Sequence, residues 1–284
     1  MSRYWKIVRD HQHPTKFLLS RLLMKTKLCC LFTIHQDGFV LRFFPSAASG
    51  KLWIDPTAKD TDSEFDLTFL ASYLKEGDTI IDVGANIGRT TLAAAYAVGD
   101  TGKVFAFEPN PRIYRYLVGN LLLNRTKNVQ AYNVAVGNTS GTVSITDTKW
   151  DDMNEVVEGI NQNSIAVSIN RLDQIIHVDQ EIALLKIDVE GYEKFVLGGA
   201  GKLLDLTYCI YFEAYEEHFN KYNYGWTDLL GFLSSKGFSV FNISFKRKAL
   251  STVSEEYRAN KCENLVATRT VSGFVQRTGF RVET

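Results

Sequence analysis

The sequence predicts an α/β fold in which a mainly parallel sheet is covered by helices on both faces. Apolar runs of strand length, at residues 79–83, 103–107 and 183–188, alternate with segments whose apolar residues recur at helical spacing. Repeated strand–helix units of this kind build parallel sheets with two covered faces. Because 45% of the 284 residues are hydrophobic, the chain can bury a sizeable core without disulfides or metals.

Composition and charge exclude several other classes of protein. Lys and Arg together number 32, as do Asp and Glu, so the chain has no net charge and no footprint for general nucleic-acid binding. Its four cysteines include no CxxC pair, which argues against a zinc cluster and a secreted disulfide framework. No apolar run approaches the roughly 18 residues of a spanning helix, and the N-terminus lacks a signal-peptide pattern. We therefore expect a cytoplasmic protein.

The N-terminal segment differs from the rest of the chain. Residues 1–30 hold seven Lys or Arg and one acid, and residues 16–28 are typical of a basic amphipathic helix. We expect this helix to pack on the domain edge with a solvated basic face; peripheral membrane contact through residues 1–30 is the alternative. The prediction for domains is an N-terminal basic helix and strand extension over 1–50 and a main domain over 51–284.

The first elements follow from local patterns. Short strands and turns are expected over 30–54, with a strand at 39–44 and a loop over 45–50. Residues 64–75 are predicted to be helical, because Phe65, Phe69, Leu70 and Leu74 fall on one side. The segments after Gly77 then predict a strand at 79–83, an alanine-rich helix at 90–98 and a strand at 103–107.

The second half continues the alternation with one irregular part. Asn110 is a typical N-cap, with Pro111 at the first helical position of the next helix. A third strand is predicted at 129–136, and alternating residues at 142–146 and 165–169 predict extra hairpin strands. The remaining predictions are strands at 183–188, 208–212, 238–243 and 263–267, and helices at 193–204 and 226–236.

A glycine turn with a distant acid indicates a nucleoside ligand. Gly84 and Gly88 lie in the turn after the first core strand, and Glu108 lies 20 residues beyond Gly88 at the end of the next strand. An acid there can accept hydrogen bonds from both ribose hydroxyls of an adenosine. A dinucleotide loop would need glycines where Asn86 and Arg89 stand, so S-adenosyl-methionine fits better than NAD.

Three segments, in this order, resemble the FkbM-type family of S-adenosyl-methionine-dependent methyltransferases. They are residues 77–88 (GDTIIDVGANIG), 107–111 (FEPNP) and 185–193 (LKIDVEGYE). Residues 134–137 and 264–267 are also similar to that family, and the resemblance spans about residues 64–268. It implies a class I methyltransferase (Rossmann-like) domain over 51–284, with a seven-stranded, mostly parallel sheet that has one antiparallel strand near an edge.

The same resemblance implies a cofactor site for S-adenosyl-L-methionine. The methionine end would lie against the turn, Glu108 would hold the ribose, and Asn110 and Ala135 would border the adenine. An upstream acid, Glu64, would contact the cofactor, and Asp188 could orient its methionine amine. The turn residues of this site are Asp82, Gly84, Ala85, Asn86 and Gly88.

A group of charged residues near the later strands suggests the catalytic residues. Lys186, Asp188 and Glu190 would point to one face if the strand stayed extended through Glu190. Asp188 or Glu190 could take the proton of a hydroxyl acceptor, and Glu213 or His218 after the next strand could do the same. These side chains could also bind a divalent metal, but their spacing is not diagnostic, and the sequence predicts none.

The function expected from these observations is O-methylation of a hydroxyl on a sugar, glycan or small metabolite. Tyr222, Tyr224 and Trp226 could form a wall on which a sugar stacks, or could pack on the domain edge. Two alternatives remain open: an RNA ribose 2′-O-methyltransferase, hinted at only by Lys186 and Asp188, and a non-catalytic cofactor-binding or membrane-surface module. No nucleic-acid partner is expected, because the net charge is zero.

Overall fold

A large mixed sheet forms the centre of the protein in the computed structural model, which describes residues 11–56, 62–148, 154–157, 159 and 162–283. The strands, in chain order, are β1 Thr33–Gln36, β2 Phe39–Arg42, β3 Thr79–Val83, β4 Lys103–Phe107, β5 Val129–Tyr132, β6 Ala135–Val136, β7 Gly141–Thr146, β8 Val156–Val157, β9 Ser164–Asn170, β10 Ile182–Ile187, β11 Thr207–Ala214, β12 Ser239–Ser244, β13 Ala249–Thr252, β14 Glu263–Thr268 and β15 Arg281–Glu283.

The helices lie between these strands. In chain order they are α1 Pro14–Thr26, α2 Ala47–Ile54, α3 Asp62–Tyr73, α4 Arg89–Val98, α5 Pro111–Leu123, α6 Leu172–Ile175, α7 Glu193–Gly198, α8 Lys202–Leu206, α9 Glu216–Asn220, α10 Trp226–Ser235 and α11 Val271–Thr278. A short 3₁₀ helix, Leu28–Leu31, follows α1. None of the helices in the described part of the chain is long and apolar enough to cross a membrane.

The sheet has the order β15-β13-β12-β14-β11-β10-β3-β4-β5. The five strands from β11 to β5 are parallel, and β14 runs antiparallel to both β11 and β12. The predicted Rossmann-like arrangement of seven strands is therefore present. The sheet is larger than predicted, however, because β13 and β15 extend it to nine strands. These two segments hold only four and three residues, too few for a periodic pattern to be recognised.

The central strands are apolar because both of their faces are covered. All five residues of β3 and all six of β10 are buried. Separate hydrophobic clusters lie on the two faces, one around Phe212 and Leu229 and the other around Phe69 and Tyr211. Since β3, β4 and β10 pair in parallel, their carboxyl ends meet at one edge of the sheet.

Three predicted elements differ from the observed ones. The strand expected at 129–136 is divided: β5 joins the main sheet, whereas β6 pairs with β9 in a separate four-stranded sheet. The helix expected at 193–204 is two short helices, α7 and α8, interrupted at residues 199–201. Gly201 at the break has φ +49°. The loop expected over 45–50 is the start of α2, which Ser46 caps by accepting a hydrogen bond from the Ser49 N–H at 3.1 Å.

The N-terminal segment shares a core with the sheet. Leu41 and Phe43, in and just after β2, pack in one buried cluster with Leu92 of α4 and Leu117 of α5. Helix α2 continues across residue 50, the predicted boundary. A separable extension over residues 1–50 stays a prediction.

Candidate functional site

A cavity lies at the carboxyl ends of β3, β4 and β10. Its walls include residues of the glycine turn, of the loops after β4 and β10, and of the segment around β6. The lining side chains that bear on function are Asp66, Gly84, Ala85, Asn86, Arg89, Glu108, Ala135, Lys186, Asp188, Glu190 and Tyr192. The cavity therefore brings together most of the residues that the sequence predicts for a cofactor site.

The glycine turn is shaped by a very close backbone approach. Gly84 has φ +85°, and a Cβ atom there would lie 1.8 Å from the carbonyl oxygen of Asp188. Gly88 has φ +90° and precedes α4, where a Cβ would meet the Leu117 side chain at 2.6 Å. Only glycine allows both the left-handed backbone and these contacts. Gly88 itself does not line the cavity.

The side chain of Glu108 is hydrogen-bonded to the glycine turn. One carboxylate oxygen accepts from the Asn86 N–H at 3.0 Å, and the other accepts from the Asn110 N–H at 2.9 Å. The side chain is largely buried but lines the cavity. An ionised carboxylate has about four acceptor positions and can accept more than these two bonds. This geometry suits the ribose contact predicted for Glu108.

The two residues predicted to border the adenine lie in different surroundings. Ala135 lines the cavity between Val134 and Val136. Asn110 is fully buried and is not part of the cavity wall; its side chain caps α5 by accepting from the Arg112 N–H at 2.9 Å and donates to Asp147 at 3.0 Å. Asn110 therefore stabilises the start of α5 next to the site.

Beneath the turn lies a buried ion-pair cluster. The parallel register pairs Lys186 of β10 with Asp82 of β3, and the Lys186 Nζ lies 3.6 Å from Asp82 and 3.1 Å from Asp188. Burial alone would lower the pKa of Lys186, but the carboxylates of Asp188, Asp82 and Asp66 raise it above its ordinary value. Asp82 also accepts from the Thr90 and Thr91 hydroxyls and does not itself line the cavity.

An acid that the sequence analysis missed lies in the cavity wall. Asp66 of α3 accepts hydrogen bonds from the Tyr211 hydroxyl at 2.9 Å and the Asn264 amide at 3.0 Å. Burial raises the pKa of this carboxyl to about 7, against the attraction of Lys186. Glu64, the predicted contact, lies two residues earlier and does not line the cavity. One feature of the sequence could have identified Asp66: it lies on the same helix face as Phe69, Leu70 and Tyr73, at i+3, i+4 and i+7.

A second acidic cluster lies beyond Asp188. The His218 Nδ1 is 3.3 Å from a Glu190 oxygen and 3.7 Å from a Glu213 oxygen. Burial, together with the neighbouring charges of Glu213, Asp188 and Glu193, raises the pKa of Glu190 to about 9. Of the three, Glu190 lines the cavity, whereas Glu213 and His218 do not. The structure thus joins the four predicted catalytic residues into two neighbouring groups.

The predicted common face of Lys186, Asp188 and Glu190 is wrong at its last member. Strand β10 ends at Ile187, and Glu190 has φ +55°, so the backbone turns before the third side chain. Gly191 makes that turn possible, since a Cβ there would lie 2.6 Å from the His218 carbonyl oxygen. Glu190 therefore faces His218 instead of Lys186.

The same cluster has the composition of a metal site. Glu190, Glu213 and His218 each offer one ligand atom, and these atoms lie within 4.8 Å of one another. Carboxylate oxygens and an imidazole could hold a divalent cation.

The predicted aromatic wall is wrong. Tyr224 and Trp226 are buried in the main core, because Trp226 begins α10 with its apolar face against the sheet. The Tyr224 hydroxyl donates to the Gly191 carbonyl at 2.7 Å, and the Tyr222 hydroxyl donates to the Val156 carbonyl at 3.0 Å. Tyr224 thus braces the loop after β10, and Tyr222 is bonded to β8. The aromatic side chains that do line the cavity are Phe107 and Tyr192.

Part of the cavity wall comes from segments that the sequence analysis did not connect with the site. Ala48, Lys51 and Leu52 of α2 line it, as does Arg89, which donates to the Gln36 side chain at 3.0 and 2.9 Å. Burial lowers the pKa of Arg89. No local pattern marks the α2 residues, because they reach the site only through the packing of the N-terminal segment, whereas Arg89 directly follows the glycine turn.

Comparison with protein families gives one match. The model of the methyltransferase FkbM domain matches residues 82–240, which include both glycines of the turn, Glu108 and all four residues of the acidic groups after β10 and β11. None of the curated proteins compared with the chain matches it significantly.

Solved structures with a similar fold were also found. A Clostridium thermocellum protein suggested to be an rRNA methylase has a TM-score of 0.46 at 14% identity, covering 74% of this chain and 97% of that chain. A suggested methyltransferase from Streptococcus mutans, solved in complex with SAH, has a TM-score of 0.44 at 12% identity, with coverages of 74% and 99%. A SAM-dependent O-methyltransferase from Thermotoga maritima has a TM-score of 0.43 at 16% identity, with coverages of 80% and 72%. Such distant likenesses carry nothing about the substrate of this chain.

Proposed function

Because the chain belongs to the FkbM methyltransferase family, and is thereby an S-adenosyl-methionine-dependent methyltransferase, we propose that it methylates a hydroxyl oxygen of a sugar, glycan or small metabolite. The observation that carries the proposal is Glu190, a carboxyl of raised pKa in the wall of the cavity beside Asp188. A hydroxyl acceptor must lose a proton as it is methylated, and such a carboxylate can take it.

The residues of the cavity fit the cofactor that the family implies. S-adenosyl-methionine supplies the methyl group on a positively charged sulfur and carries an ammonium group at its methionine end. Asp66 and Asp188 place carboxyl groups in the wall nearest the glycine turn, where they would attract those positive charges. The same carboxyl groups would repel the pyrophosphate of a dinucleotide. Glu108 would hold the ribose by accepting hydrogen bonds from its hydroxyls.

In the proposed step, the acceptor oxygen forms a bond to the methyl carbon while the sulfur–carbon bond breaks. The hydroxyl proton passes to the Glu190 carboxylate. A carboxylate whose pKa is raised to about 9 is a stronger base than an ordinary glutamate, so it can take the proton of a weakly acidic hydroxyl more readily. The imidazole of His218 lies 3.3 Å from this carboxylate. Lys186 would fix the position of Asp188 next to it.

The test combines an acceptor panel with a pH profile. We expect incubation with S-adenosyl-methionine and a panel of sugars, glycolipids, peptides and RNA to yield an O-methylated sugar or metabolite, identified by mass spectrometry. With that acceptor, kcat should rise with pH toward about 9, because the base must be ionised. Glu190→Gln should lower kcat about a hundredfold and leave the KM for the cofactor nearly unchanged.

A matched control is Glu217→Gln, which changes an exposed glutamate on α9 near His218. We expect this variant to keep the wild-type kcat and pH profile. A methylated nitrogen in the product, or a Glu190→Gln enzyme with full activity, would contradict the proposal. Methylation of RNA alone would favour the alternative ribose methyltransferase, although Lys186 is buried between Asp82 and Asp188 and is poorly placed to meet a nucleic acid.

A further inference from the structure

Exposed apolar side chains are concentrated on the N-terminal helix and the turn that follows it. Of the ten large hydrophobic side chains that are exposed among the described residues, six fall within residues 18–32. We name them the leucine patch, and its members are Leu18, Leu19, Leu22, Leu28, Leu31 and Phe32. Soluble proteins rarely expose clustered apolar residues without an interaction that covers them.

The helix that carries the patch is firmly held on its other side. Phe17 and Leu23 of α1 are buried, and α1 packs against α2. Phe17 packs against Ile54 in a small buried cluster. Leu23 belongs to the core that the N-terminal segment shares with α5. Because these inward positions already attach α1 to the domain, the leucines at positions 18 and 22 point away from the core.

The segment that carries the patch has basic residues and no acidic ones. Residues 11–36 contain four Lys or Arg and no Asp or Glu, although the chain as a whole is neutral. Lys16, Arg21, Lys25 and Lys27 are all exposed. The expectation of a solvated basic face is therefore incomplete, because the exposed face of α1 carries leucines as well as basic residues.

We propose that the leucine patch is a docking surface for an anionic lipid bilayer. The charge argues for this occupant: leucines can enter the boundary of the acyl chains while lysine and arginine side chains extend to the phosphate groups. Basic residues near a negatively charged leaflet add to the attraction. A second copy of this chain would bring like charges together across the same surface.

The test is sedimentation of the full-length protein with vesicles. We expect binding to vesicles of phosphatidylcholine with phosphatidylserine, weaker binding to phosphatidylcholine alone, and weaker binding at high salt. The double variant Leu22→Glu/Leu31→Glu should reduce the partition into anionic vesicles by about tenfold or more, since each leucine would no longer be buried in the bilayer.

The chain offers a matched control. Leu122 on α5 is 73% exposed and Leu31 is 76% exposed, so Leu122→Glu changes a similar side chain outside the patch and should leave vesicle binding intact. Calorimetric titration with S-adenosyl-homocysteine would show that each variant is folded. This readout needs no methyl acceptor, so it is independent of the proposed hydroxyl chemistry.

Three outcomes would overturn the proposal. The wild-type protein could fail to sediment with anionic vesicles. Leu122→Glu could reduce binding as much as the patch variant does. The wild-type protein could form a dimer in sedimentation velocity that Leu31→Glu dissociates, which would assign the leucine patch to a contact between copies of the chain.

Discussion

Single glycines decide how closely the loops of the site can approach one another. The turn after β3 touches the end of β10 at Gly84, and the loop after β10 touches helix α9 at Gly191. Both glycines have positive φ, at +85° and +100°. Through these contacts the glycine turn, Asp188 and Glu190 come to one cavity, which Glu108, just after β4, also lines.

The first prediction concerns Gly84→Ala. A Cβ atom 1.8 Å from the Asp188 carbonyl oxygen cannot be accommodated without moving β10 or the turn. The positive φ adds a backbone cost of about 1–2 kcal/mol for alanine. We expect a loss of more than about 2 kcal/mol in the free energy of unfolding, measured by urea denaturation, and loss of cofactor binding, measured by calorimetry.

Gly231→Ala is the control for this substitution. Gly231 lies within α10, and a Cβ there would meet nothing within 4 Å. Alanine at that position should raise stability by about 0.5–1 kcal/mol, because it is the better helix former. Equal effects of the two substitutions would contradict the close approach at Gly84.

At the scale of elements, the sequence predicts best where the apolar pattern and the turn residues agree. The strands at 79–83 and 103–107 and the cap at Asn110 were predicted at their observed positions, because each combines a buried run or a cap residue with a clear boundary. The prediction of one helix at 193–204 was wrong at the glycines, where the periodic pattern continues but the chain turns.

The site was predicted less completely than the strands that carry it. Glu108 and Asp188 follow directly from motifs at strand ends. Asp66 and the α2 wall could not be predicted in this way, because they reach the cavity by tertiary packing across more than 100 residues of chain, as the Asp66 bonds to Tyr211 and Asn264 show. Glu190 was identified, but its direction depends on a left-handed residue that strand periodicity does not reveal.

The second prediction separates the cap from the cofactor site. Asn110→Ala removes the acceptor for the Arg112 N–H and the donor to Asp147. We expect a loss of about 1 kcal/mol in the free energy of unfolding, with cofactor affinity changed by less than about threefold. Asn110→Ser should restore much of the stability, since serine also caps helices. A large loss of affinity with unchanged stability would instead support the adenine contact implied by the family.

For the whole molecule, the important electrostatic feature is where its acids are buried. The chain is neutral overall, yet several carboxyl groups crowd one edge of the sheet. Burial raises the pKa of Asp66 to about 7, of Glu193 to about 8 and of Glu190 to about 9. In the unfolded chain the same groups would titrate near 3.8 and 4.5. The folded protein therefore holds these protons more tightly than the unfolded chain does.

The third prediction follows from the sign of these shifts. Below the unfolded pKa values the contribution of the three acids to stability is fully present, and it is lost as the pH rises through their folded values, from about 7 to about 9. The pKa of Asp147 is instead lowered, because hydrogen bonds from Asn110 and Arg112 stabilise its charged form and outweigh the effect of burial. The contribution of Asp147 to stability is therefore lost only in acid. We expect the free energy of unfolding of the cofactor-free protein to fall between pH 5 and pH 9, with a slope of up to roughly 1.4 kcal/mol per pH unit for each proton retained.

Glu193→Gln tests the assignment of this pH dependence. Glu193 is fully buried and accepts from the N–H groups of Val189 and Gly191 at 3.3 Å, and a glutamine oxygen can accept the same bonds. Without an ionisable group at this position, the decline in stability above neutral pH should become shallower in urea denaturation at several pH values. Glu217→Gln, at an exposed position, should keep the wild-type slope. A wild-type stability that rises from pH 5 to pH 9 would mean that these acids are charged in the folded protein, and the proposed role of Glu190 as a base of raised pKa would be lost with it.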